Sequence, residues 1–245
     1  GGTVNVSSIP GSTLRVKGGS VTGGTLNNSG TIFLEAGTTS TIGGTINNQL
    51  TGLLPVDNAT LTIPAMSAFN NFGTVTIDTD GVLAMDTSVN YTQTGSGART
   101  SVNGNLTGGQ VNVLGGVLFG NGIINAVLNN SARIRPGMFE FAPGILTLNG
   151  DYTHSTAGIF VAELNGSDSG VGYDSLHANG TIDLEGGLEL AGSFAPAIGD
   201  EFLIVQNDGT DAINGTFTGF PEAFTFNRNG QQFRISYVGG TGNDV

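Results

Sequence analysis

Paired asparagines followed closely by glycine recur down this chain, and no other feature restricts its fold so strongly. The phrase first reads complete as Gly23-Gly24-Thr25-Leu26-Asn27-Asn28-Ser29-Gly30-Thr31-Ile32. It returns as Gly43-Gly44-Thr45-Ile46-Asn47-Asn48, as Asn70-Asn71-Phe72-Gly73-Thr74-Val75, and as Leu128-Asn129-Asn130-Ser131-Ala132-Arg133-Ile134. The pairs starting at 27, 47 and 70 are 20 and 23 residues apart. A repeat of that length cannot bury its own apolar side chains and signals a solenoid, in which each turn stacks on the next.

The text between the asparagines reads as short strands. Thr13-Leu14-Arg15-Val16, Thr31-Ile32-Phe33-Leu34, Thr60-Leu61-Thr62-Ile63, Thr74-Val75-Thr76-Ile77 and Gln110-Val111-Asn112-Val113-Leu114 place an apolar residue at every second position. That period points one side chain inward and the next outward. Glycine and β-branched residues interrupt every candidate helical stripe. The expected class is therefore all-β: a right-handed parallel β-helix over 1–142, with residues 143–245 as a C-terminal β cap ending in a hairpin. Asn27, Asn47 and Asn70 are expected to stack in a column at one corner of successive coils. Asparagine tolerates the left-handed backbone of a tight corner, and its amide can bond to the coils above and below.

Charge narrows the partners. Nineteen acidic and seven basic side chains give a formal net charge of −12, and only 11% of residues are charged. Such a field opposes phosphate backbones and anionic lipid, so neither nucleic acid nor direct membrane insertion is expected. With no cysteine, disulfides do not report the compartment. The opening Gly1-Gly2-Thr3-Val4-Asn5-Val6 is already repeat-like, so the chain is expected to be a fragment of a longer protein.

A second set of phrases begins near Asn129. It includes Arg133-Ile134-Arg135-Pro136-Gly137, Ala142-Pro143-Gly144-Ile145-Leu146-Thr147-Leu148-Asn149-Gly150-Asp151-Tyr152 and Tyr173-Asp174-Ser175-Leu176-His177-Ala178-Asn179-Gly180. Leu184 to Leu190, Gly199 to Val205 and Gly215-Thr216-Phe217 follow. Over about 110 residues this order resembles the C-terminal part of bacterial autotransporter passengers and related secreted β-strand-repeat proteins. The resemblance implies an extracellular or cell-surface location and an autochaperone-like cap over the end of the coils. Seven of the 14 phenylalanines fall at or after Phe194, which predicts a bulkier core there. Asn229-Gly230 between two alternating runs is a hairpin signal.

Candidate chemical sites are few. Asp78, Asp80 and Asp86 are weak candidates for an acidic face able to meet a cation or a glycosidic oxygen; a solvated outer face is the commoner explanation for such acids. Gly239-Gly240-Thr241-Gly242-Asn243-Asp244 matches the opening of a calcium nonapeptide repeat, but a single copy lacks the adjacent turn such repeats need. His154 has no ligand-spaced partner nearby, and His177 has only Asp174 three residues before it. No catalytic set, metal site or cofactor is expected. The chain reads as an extracellular structural or adhesive scaffold, with cell-surface glycans, other proteins or a second copy as partners. The alternative is a carbohydrate-active β-helix enzyme working on a polysaccharide.

Overall fold

A computed structural model describes residues 1–138 and 142–245, and across them the chain winds as a parallel β-helix without helical segments. Strands stack on three faces. The first face carries Thr39–Ile42, Thr60–Ile63 and Val82–Met85; the second carries Thr25–Asn28, Thr45–Asn48 and Ala68–Asn71. The third is a separate nine-stranded sheet running from Thr13–Val16 to Gly187–Ala191. The first two faces fuse into one 17-stranded sheet because Asn105–Val113 and Ile123–Asn130 pass through both, bending where the register shifts between Thr107 and Gln110.

Register follows from the alternation. Leu26 lies beside Ile46, Ile46 beside Phe69 and Phe69 beside Tyr91, so inward residues form columns along the axis. Moving any strand by one residue would turn its apolar set outward, which fixes the pairing wherever one side is buried. A single apolar core results, continuous from Val6 to Val245.

The corner between the second and third faces explains the repeated phrase. The first asparagine of each pair is an extended strand residue, and the chain turns after the second. Asn28 Oδ1 accepts from the Gly30 N–H at 3.2 Å, and Asn71 Oδ1 from the Gly73 N–H at 3.1 Å. Left-handed backbone is found instead at Asn58 and Asn229 among the described asparagines. The glycine is required by close approach: a Cβ on Gly73 would stand 2.2 Å from the Gln49 carbonyl oxygen.

The first expected unit, 1–142, includes residues 139–141, which lie outside the described residues. Parallel stacking continues after them, through Ile145–Leu148, Tyr152–His154 and Ile159–Glu163, up to Asn214–Gly215. Longer loops stretch the repeat here: Asn149 and Asn179 bond across 30 residues, against 20 for Asn28 and Asn48. Antiparallel pairing enters with the hairpin Thr225–Arg228 and Gln231–Arg234, whose Asn229-Gly230 turn has φ of 51° and 80°. Positive φ at both positions gives the twist that suits a two-residue hairpin. Beside the hairpin, Phe217 is fully buried against Phe160 and edge-on to His154, with ring centroids 5.9 and 5.6 Å away. Tyr237 fastens this end, its hydroxyl donating to the Phe220 carbonyl at 2.7 Å and accepting from the Phe217 N–H at 2.9 Å.

Candidate functional site

Two amide ladders run beside the second-face corner. In the outer one, Asn27 donates to Asn5, Asn47 to Asn27 and Asn70 to Asn47, each at 2.9 Å. The inner one is buried: Asn28 donates to Asn48 at 2.8 Å and Asn48 to Asn71 at 2.9 Å. Each inner amide also reaches a third-face carbonyl, Asn28 that of Leu53 and Asn48 that of Thr74, both at 3.1 Å. An amide carries both a donor and an acceptor, so one side chain repeated at the coil spacing satisfies its neighbours in series. Gln93 ends the run by donating to the Gly115 carbonyl at 2.7 Å, and Val113 takes the next inward place.

The inner ladder resumes at Asn130 and reaches His154. His154 Nδ1 lies 3.0 Å from both Asn130 Nδ2 and the Tyr152 hydroxyl, while Nε2 lies 3.2 Å from the Gly187 carbonyl oxygen. Those partners place the proton on Nε2, and burial pulls the pKa down to about 4, leaving the ring neutral at pH 7. Asp174 lies beyond the opposite end of the third-face strand Ile159–Glu163, just before Ser175–Ala178. Its carboxyl accepts from the Gly144 and Glu163 N–H groups at 3.0 and 2.9 Å. Burial pushes it up to about 7 against the opposing pull of those donors. Among the described residues no group of three His, Cys, Asp or Glu is placed to hold a metal.

The acidic-face candidates do not come together as a trio. Asp78 follows the third-face strand Thr74–Ile77, and Asp80 lies in the same turn. Asp86 lies at the far end of Val82–Met85, where its carboxylate accepts from the Ser88 N–H at 2.9 Å and hydroxyl at 2.6 Å. Those bonds hold its pKa below the usual carboxylate range, whereas Asp78 is raised by burial and by Asp57 one coil earlier. The terminal Asp244 is fully buried and accepts from the Asn207 N–H at 2.8 Å and the Thr241 N–H at 3.0 Å. Its carboxylate therefore anchors the last turn onto the coils.

The third face holds what the sequence reading did not assemble. All four arginines of the coil strands lie there, Arg15, Arg99, Arg133 and Arg135, against two acids, Glu163 and Glu189. Arg15 caps the Phe33 ring at 4.7 Å. Arg99 pairs with Val117 and Val117 with Arg133, so the two arginines stand in one outward column. A cleft of about 250 Å³ opens among Arg99, Val117, Phe119, Arg133, Arg135 and Val161. Arg135 is held against buried Glu163 at 3.0 Å, Arg133 meets exposed Glu189 at 2.8 Å, and Arg99 is exposed and forms no ion pair among the described residues. The arrangement suits an anion over an apolar floor. No protein-family profile, curated protein or solved structure matches the chain.

Proposed function

We propose that the chain is an extracellular scaffold, part of a secreted or surface-displayed bacterial protein, which presents side chains for adhesion from a stiff body. The observation that carries this reading is the continuous axial bonding: nine third-face strands stacked at about 4.8 Å give a column about 40 Å long. The buried amide ladder and single core support stiffness along that length. Sparse charge and Thr/Asn-covered first and second faces suit a presented surface, and the likeness to autotransporter passengers supports the cell-surface setting. The proposed role is structural and adhesive rather than catalytic. Displaying the chain on a bacterial surface and measuring attachment to cells and immobilised glycans tests it. Attachment above that of an undecorated strain is expected. Equal attachment, or release of reducing sugar from a polysaccharide by the purified chain, counts against the reading.

A further inference from the structure

We propose that the third-face cleft binds an anionic polysaccharide, its carboxylate or sulfate groups held by Arg99 and Arg133 and its sugar rings lying on Val117 and Phe119. This deepens the scaffold reading by giving the adhesive surface a ligand class.

Three observations converge. First, charge is sorted by face. A chain of net charge −12 places every arginine of its coil strands on the third face, while strands of the first two faces contain no Lys or Arg. Second, spacing suits an extended ligand. Arg99 and Arg133 are two rungs apart in one column, about 9.6 Å, a separation that an extended disaccharide unit spans. Third, the two arginines differ in readiness. Arg99 is exposed without an ion pair among the described residues, and the exposed Arg133–Glu189 pair is of the kind that contributes little and exchanges readily. Arg135 stays with Glu163 as part of the wall. The floor contributes apolar area for the C–H faces of sugars, and guanidinium groups offer paired donors to carboxylate or sulfate oxygens. A cleft of about 250 Å³ admits part of such a chain while the rest follows the sheet.

The test is affinity electrophoresis and calorimetry of the 245-residue chain with polygalacturonate, dextran sulfate and uncharged dextran at low and high salt. Binding to at least one anionic polymer, weakened by salt and absent for dextran, is expected. Which polymer binds identifies carboxylate or sulfate as the preferred group. Arg99→Ala should weaken binding about tenfold, the loss of a charge-assisted contact. Glu189→Gln, which frees Arg133, should tighten it. Circular dichroism confirms that both exposed-site variants remain folded. Binding unaffected by Arg99→Ala, equal binding to dextran, or weaker binding after Glu189→Gln overturns the proposal. So does a concentration-dependent dimer, without polysaccharide, that Arg99→Ala abolishes, because the cleft would then hold a second copy. Polygalacturonate binding without attachment of displayed chains to cells would sink the adhesive reading alone.

Discussion

Asn47 and Asn48 are neighbours with different tasks. Asn47 sits half-buried in the outer ladder, and Asn48 is fully buried with bonds to Asn28, Asn71 and the Thr74 carbonyl. Asn48→Ala removes both directions of the inner ladder together with its tie to the Thr74 carbonyl, a loss of about 2–3 kcal/mol. Asn47→Ala, with water able to replace its partner, should cost under about 1 kcal/mol. Denaturant midpoints of the two variants check this, and equal losses would sink it. His154 and Asp174 give opposite pH signatures. His154 is lowered from 6.5 to about 4, so its contribution is whole above about pH 6.5 and is lost as pH falls towards 4. Asp174 is raised from 3.8 to about 7, so its contribution is whole below about pH 3.8 and is lost as pH rises through 7. Relative to the parent, His154→Gln should gain thermal stability as pH drops across the first window. Asp174→Asn should gain as pH climbs across the second. A pH-independent difference in either melting series would show that the group does not titrate as described.

Strands and corners were legible because alternation and close approach leave local marks. Thr13–Val16, Thr31–Leu34, Thr60–Ile63 and Thr74–Ile77 appear with the bounds read from the sequence. The buried ladder was also signalled: Leu26 and Asn28 are two apart and must share a side of the strand, so an inward Leu implies an inward Asn. The cleft was not legible. Arg99 and Arg133 meet only through the pairings with Val117, and the coil length there departs from the earlier repeat, with Asn112 and Asn129 just 17 residues apart. Nor does spacing alone reveal that Asp78 and Asp86 occupy opposite ends of one strand, since the corner between them is set by tertiary pairing. Corner glycines offer a test at this level. Gly73→Ala must push a Cβ towards the Gln49 and Gly52 carbonyl oxygens, at 2.2 and 2.5 Å, both backbone atoms of earlier coils. A loss of about 1–3 kcal/mol is expected, with protease cuts appearing near the 49–73 corner. Unchanged stability would mean that the coils shift apart freely.

Although one core runs through coils, terminal loops and hairpin, each coil pairs only with its neighbours, so the distal end should report on itself without unravelling the rest. Tyr237→Phe deletes the hydroxyl that links Phe217 and Phe220. It should cost about 1–3 kcal/mol and raise hydrogen exchange in residues 217–237 before the coils around Asn28 and Asn48 respond. Simultaneous exchange throughout would show the molecule to be a single cooperative unit instead. The fused 17-stranded sheet has a mechanical corollary. Its backbone bonds and amide ladders point along the solenoid, so a pull along that axis loads successive rungs in series and should detach coils singly, in releases of roughly 17 to 30 residues. A pull across the axis loads a rung's bonds together in shear. Where Val113 interrupts the inner ladder, the two longest strands, of nine and eight residues, lie side by side, so the rung without an amide has the most backbone bonds to resist peeling.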